Sequence, residues 1–241
     1  MRRRFPPGSR VQLTWFGHSA FQAVSPGGKV LLVDPWLENP KAPPKAREIN
    51  RVDLILISHG HSDHLGNAVE IARRTGATVL AIYEVCQYLA SAGVARTQAL
   101  NKGGSFTLSG IRITMVDARH SSAIEDRGAM ISGGEAAGFV MEFENGTTLY
   151  HAGDTSLFMD MKLIGQMERP DVVLLPIGGL YTMGPREAAK ACELLNPKRI
   201  IGMHYGTFPA LSGTPAELRK CLPPRMKGKL LELEVGVPVE V

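Results

Sequence analysis

The 241-residue sequence predicts an α/β protein, an αββα sandwich of two mixed β-sheets with flanking helices. Three observations predict it. Hairpin signals open the chain and give way to alternating strand and helix signals. The same order begins again near residue 135. Apolar runs without alternation, such as 53–58 (Asp-Leu-Ile-Leu-Ile-Ser), have the composition of strands buried on both faces. Residues 1–241 are expected to form a single domain, with an N-terminal half near 10–125 and a C-terminal half near 135–241.

The elements follow in order. Residues 11–16 and 20–24 read as strands around a Gly17-His18-Ser19 turn, and Gly27-Gly28 turns the chain into a third strand over 29–33. The short Pro/Lys-rich stretch 38–45 reads as a loop. After the buried strand 53–58, a helix is predicted over 64–74, then a strand over 78–81 and a helix over 84–92. Residues 105–108 and 111–116 form a hairpin across Ser109-Gly110. The second half opens on a hairpin, 138–144 and 147–151, across Asn145-Gly146, the strongest turn dipeptide in the chain. A helix over 159–167, a buried strand over 171–175, a helix over 185–195 with Pro early in it, and a strand over 199–203 follow. Thr214-Pro215 starts a last helix, and 230–235 reads as a final strand.

Composition narrows the class. Hydrophobic residues make up 44% and charged residues 21%, which excludes overall disorder. The 26 glycines show no triplet period, which excludes a collagen-like chain. No apolar run reaches the roughly 18–20 residues that span a bilayer. The net charge of +4 is spread along the chain, so nucleic acid is not expected as a partner. The one basic cluster, Arg2-Arg3-Arg4, reads as a solvated terminus. It is followed by Phe5-Pro6-Pro7-Gly8 rather than by an apolar stretch, so export is not expected. Cys86, Cys192 and Cys221 are odd in number and lack CxxC spacing. They read as small buried hydrophobes of a cytoplasmic protein.

The chemistry lies just beyond the 53–58 strand, in His59-Gly60-His61-Ser62-Asp63-His64. Three of the seven histidines fall in this hexapeptide, with an aspartate among them. A helix-capping turn would account for Asp63 and leave three histidines unexplained. Imidazole and carboxylate are ligands for divalent zinc, iron or manganese. One ion cannot use all four groups from so short a loop, so His59 and His61 are assigned to one ion and Asp63 and His64 to a neighbour. Three further candidates stand just beyond apolar strands: His120, Asp154 and His204.

This set resembles the metallo-β-lactamase-fold hydrolase superfamily over nearly the whole chain. Gly17-His18-Ser19, Asp34-Pro35-Trp36, Tyr150-His151-Ala152-Gly153-Asp154-Thr155, Leu175-Pro176-Ile177-Gly178, Tyr181-Thr182-Met183-Gly184 and His204-Tyr205-Gly206-Thr207-Phe208-Pro209 look like the UPF0173 metal-dependent hydrolase branch. That branch is related to ascorbate-6-phosphate lactonases and, more distantly, to the phospholipase D that cleaves N-acyl phosphatidylethanolamine. The resemblance implies His59, His61 and His120 on one ion, Asp63, His64 and His204 on the other, and Asp154 bridging. Two positions depart from the expected pattern. Gly206 stands in place of an Asn, and Gly179-Leu180 in place of a more polar pair; both bear on substrate choice.

The implied chemistry is hydrolysis. Two divalent ions about 3.5–4 Å apart, zinc first and manganese, nickel or iron after it, hold a bridging water and lower its pKa to around 7. Asp154 fixes their spacing, and Asp63 both binds an ion and orients the hydroxide. By resemblance His18 lines the site as a proton donor. Asp34 is expected to orient a ligating histidine, and His151 to pack rather than ligate. Tyr181, Thr182 and Met183 are expected to form a loop over the ions, and Ser121 and Thr155 to bond backbone. The expected substrate is a small or lipid-derived ester, lactone or phosphodiester, and a homo-oligomer is compatible with this.

Three alternatives are weaker. A nucleic-acid phosphodiesterase of the same fold would want a long arm or an added domain. A diiron redox protein would carry a carboxylate in place of His61 and a fused flavin domain. A metal-binding module without turnover is disfavoured by the intact ligand set.

Overall fold

The computed structural model describes residues 10–241. The arginine cluster at 2–4 and the segment 5–8 lie outside them. The chain enters with the meander β1 (Gln12–Trp15), β2 (Phe21–Val24) and β3 (Val30–Val33), then β4 (Leu54–Leu56). Two short helices, α1 (Ser62–Leu65) and α2 (Ala68–Thr75), lead to β5 (Thr78–Ile82), α3 (Tyr83–Ser91) and β6 (Thr97–Leu100). Next come the hairpin β7 (Ser105–Leu108) and β8 (Ile111–Asp117), then a second hairpin, β9 (Ala123–Asp126) and β10 (Ala129–Ser132). The second half runs β11 (Ala137–Glu142), β12 (Thr148–His151), α4 (Met161–Met167), β13 (Val172–Pro176), α5 (Pro185–Leu195) and β14 (Arg199–Met203). It closes with α6 (Pro215–Cys221), α7 (Pro224–Lys227) and β15 (Val239–Glu240).

The strands form two mixed sheets, with orders β15-β1-β2-β3-β4-β5-β6 and β14-β13-β12-β11-β8-β7. Each changes from antiparallel to parallel pairing, at β3–β4 in one and at β12–β13 in the other. A matching device marks each change. Asp53 accepts the Val30 amide at 2.9 Å and Asp171 accepts the Thr148 amide at 2.9 Å, each carboxylate tying the start of its own strand to that of its neighbour.

Period-two alternation divides the second sheet's residues between two cores. Phe139, Met141, Leu174, Ile201 and Met203 face the first sheet, where Leu13, Phe21 and Leu31 share their core. Val140, Tyr150, Val173 and Ile200 face the outer helices, against Met161, Ala188 and Leu218. This is the α/β sandwich of two mixed sheets predicted.

Three local expectations need correction. The helix expected over 64–74 is broken into α1 and α2. Gly66, at φ +44°, lies so close to the loop after β3 that an added Cβ would stand 2.5 Å from Trp36 Cα. Asn67 Oδ1 then accepts the Leu37 amide at 2.9 Å, so the break holds that loop in place. Residues 230–235 form no strand. Leu230 makes one isolated bridge to Ile200, and the chain then crosses to the other sheet, where the Gly236 amide reaches Trp15 O and β15 pairs with β1. A segment crossing between sheet edges follows neither ladder. Cys86 and Cys192 are buried, and burial raises their thiols to about 11 and about 12. Cys221 instead ends α6 on its solvent side and is exposed. No helix among the described residues is long and apolar enough to cross a membrane.

Candidate metal centre

The seven histidines collect at one end of the sandwich because each follows the carboxyl end of a strand. His18 follows β1; His59, His61 and His64 follow β4; His120 follows β8; His204 follows β14; His151 closes β12. Asp34 and Asp154 follow β3 and β12. Three donor groups result, each with ligand atoms within 4.8 Å of one another: His59, His61 and His120; His18, Asp63, His64 and His204; and His59, His64 and Asp154. All seven residues predicted as ligands therefore meet.

Their orientations are fixed from behind. Asp34 is fully buried and accepts the Ser58 amide at 2.7 Å, the Ser58 hydroxyl at 2.7 Å and His64 Nδ1–H at 2.8 Å. With its proton committed to Asp34, the Ser58 hydroxyl accepts His59 Nδ1–H at 3.0 Å. Both histidines therefore present Nε2 to the centre. His59 Nε2 lies 2.9 Å from His61 Nδ1. His204 Nε2, His64 Nε2 and His120 Nε2 lie 3.0, 3.3 and 3.7 Å from Asp154 Oδ2.

Buried polar atoms without a partner test whether the set fits metal ions. Among the described residues these include His64 Nε2, Asp154 Oδ1 and both ring nitrogens of His204. The 3.3 Å approach of His64 to Asp154 brings charges together without hydrogen-bond geometry. Convergent imidazole and carboxylate donors left unsatisfied away from water suit divalent cations.

Electrostatics favour ligation at three of the histidines, while His64 carries a proton that a cation would displace. Burial lowers the pKa of His59, His61 and His120, which favours neutral rings with free lone pairs. Burial opposes charge on Asp154, but His64 and His204 outweigh it and hold the carboxyl well below the usual range. For His64 burial likewise opposes protonation, and the carboxylates of Asp154 and Asp34 raise its pKa well above the ordinary value. Burial also opposes charge on Asp63, yet the His18 hydrogen bond keeps it a carboxylate.

The remaining residues divide clearly. His18 is buried at φ +51°, with Nε2 3.0 Å from Asp63 Oδ2 and Nδ1 2.9 Å from Thr207 Oγ1. Burial lowers its pKa to about 4, so the ring is neutral. His151 packs as expected, donating from Nε2 to Ser19 O at 3.0 Å and accepting the Gly153 amide at Nδ1. Thr155 bonds backbone at Ser156 O and Arg119 N, whereas Ser121 Oγ lies 3.5 Å from His61 Nε2. Met183 is buried in the outer core with its amide on Thr155 O, one residue beyond Asp154, and Tyr181 is exposed. At Gly206, at φ +61°, an added Cβ would stand 3.0 Å from Lys41 Nζ, so the glycine leaves room for that side chain. Nothing in the sequence alone marks Thr207 and Ser58 for these roles, beyond Thr207's place three residues after His204.

Comparison with known proteins agrees with this geometry. A family model described as a beta-lactamase superfamily domain matches residues 12–204. A UPF0173 metal-dependent hydrolase of Koribacter versatilis is 49% identical over 211 residues, 87% of this chain and 91% of its own. The chain belongs to the UPF0173 metal-dependent hydrolases. Another UPF0173 metal-dependent hydrolase, from Solibacter usitatus, is 47% identical over 95% of this chain and all of its own length. Igni18, a metallo hydrolase of the hyperthermophilic archaeon Ignicoccus hospitalis, superposes with a TM-score of 0.85 at 37% identity, over 95% of this chain and 97% of that one. The family model's span, residues 12–204, takes in the HxHxDH segment and every other donor named above.

Proposed function

We propose that this UPF0173 chain is a dinuclear hydrolase acting on an ester, lactone or phosphodiester bond of a small or lipid-derived molecule. His59, His61 and His120 would hold one cation, Asp63, His64 and His204 would hold the other, and Asp154 would serve both. The observation that carries this is the position of Asp154: buried, with Oδ2 facing His64, His120 and His204 and with Oδ1 free of any partner. Zinc suits so imidazole-rich a set, with manganese, nickel or iron acceptable to the same donors. When bound, such cations supply Lewis acidity and bring the pKa of a coordinated water near neutrality.

The chain's own groups supply orientation. Asp34 and Ser58 fix which nitrogen His64 and His59 present. His18 holds a proton at Nε2 against Asp63, and its Nδ1 accepts the Thr207 hydroxyl. The bond from Nε2 fixes the orientation of Asp63, the least buried carboxylate of the centre. His59, His64, Asp154 and His204 seal the floor, while His61 and Asp63 open to solvent, so substrate enters from their side.

The test is turnover of a panel of chromogenic esters, lactones and bis-phosphodiesters by zinc- or manganese-loaded protein, beside Asp154→Asn. Activity on one class that falls at least a hundredfold in the variant supports the assignment. Equal rates in both proteins contradict it.

A further inference from the structure

The loops after β3 and β14 bring two aromatic rings to the rim. Trp36 stands two residues beyond Asp34, and Phe208 four beyond His204. Their ring centroids are 5.9 Å apart, inclined at 31°. Trp36 meets the His18 ring at 5.2 Å and 90°, and Phe208 meets it at 6.1 Å and 69°. Both therefore flank the histidine that touches Asp63, the carboxylate open to solvent. Phe208 is 41% exposed and Trp36 is half-buried, so the wall they form is wet on its outer side. A large aromatic left in water next to a catalytic opening loses the burial that usually places it, and a ligand can restore that burial.

Two cations at this end lie over aromatic rings. Lys41, from the loop after β3, lies over the Trp15 and Tyr205 rings, and Arg119, from the loop after β8, lies over Phe158. The two rings carry no charge themselves, while Lys41 Nζ, 3.0 Å from where a Cβ on Gly206 would stand, puts a cation at the wall's edge two residues before Phe208. The rings suit a part of the substrate that is uncharged and apolar.

We infer that Trp36 and Phe208 form a specificity wall, selecting substrates whose scissile bond adjoins an alkyl or aryl group rather than a charged or strongly hydrated one. This rests on the hydrolase assignment above, since it places the scissile bond at the donor cluster. Thr207 and Phe208 are adjacent, so one short segment orients His18 and lines the place where the apolar group rests.

The test uses binding, separate from turnover. Zinc-loaded full-length protein is titrated calorimetrically with acetate, butyrate, hexanoate and octanoate, carboxylates that mimic an ester's acid product. Each buried methylene adds at most about fourfold in affinity. Octanoate is expected to bind at least about tenfold more tightly than acetate. In Phe208→Ala, with its zinc content retained, that ratio falls below about threefold, and Trp36→Ala compresses it similarly. Equal affinity for all four carboxylates, no binding of octanoate, or a full gradient in Phe208→Ala each overturns the wall. The two assignments fail separately. A gradient without turnover of any chromogenic substrate sinks the hydrolase assignment, and turnover without a gradient sinks the wall.

Discussion

Asp34 and His64 form a pair with no exposed side-chain surface, Oδ2 to Nδ1 at 2.8 Å, in which Asp34 also accepts both the amide and the hydroxyl of Ser58. Three hydrogen bonds on one buried carboxylate hold the imidazole so that only Nε2 faces the donor cluster. Asp34→Asn keeps the volume but replaces one acceptor oxygen with a donor, against neighbours that themselves donate. It should weaken binding of one cation by roughly 10- to 100-fold. A chelator competition titration measures this, and an unchanged affinity would show that His64 needs no such partner.

Thr207 acts on His18 from the opposite side, 2.9 Å from Nδ1. Thr207→Val preserves shape and removes the hydroxyl proton that His18 Nδ1 accepts. Turnover should fall about tenfold or more, with cation content unchanged, and Thr207→Ser should restore it. Rescue by Ser separates orientation of His18 from packing, which Val satisfies equally well.

The binding cluster is legible in the sequence, because four donors lie in six residues directly after a strand buried on both faces. His120, Asp154 and His204 are legible because each stands at a strand's polar end. The residues that align them are not. Ser58 is one more polar residue at a strand end, and its two-way hydrogen bonding exists only once Asp34, 24 positions earlier, is beside it. β6 is half-buried along its length and β10 is exposed throughout, so neither carries an alternating pattern. Residues 230–235 do alternate, and mislead, because their apolar side chains pack at the sandwich edge without a ladder partner.

Gly66 tests the break between α1 and α2. Its φ of +44° and the 2.5 Å approach of an added Cβ to Trp36 Cα leave no room for a side chain. Gly66→Ala should cost about 2 kcal/mol or more in stability, measured by urea denaturation. Since the same loop carries Asp34, cation affinity should fall with it. A variant as stable as the parent would mean that the loop yields freely.

Asp53 offers a pH test away from the centre. It accepts Lys29 Nζ at 2.7 Å and the Val30 amide at 2.9 Å. Burial opposes its charge, but these partners outweigh it and lower the pKa. A carboxyl whose folded pKa lies below its unfolded value stabilises at pH above the unfolded value, and that contribution is lost as pH falls through the folded one. Asp53→Asn should therefore cost about 1 kcal/mol at pH 7, a modest figure because solvent screens the partly exposed Lys29. The difference from the parent should shrink as pH drops below about 4. Denaturant midpoints of both proteins across that range measure it, and a gap that stays constant with pH would contradict the assignment.

In the proposed centre Asp154 joins two cation sites, and the cation count per chain tests this most directly. Elemental analysis of protein reconstituted with zinc and freed of excess by gel filtration should give about two ions per chain. Asp154→Ala should fold, since the core does not depend on the ions, and retain fewer. One ion per chain in the parent, or none, would contradict the account.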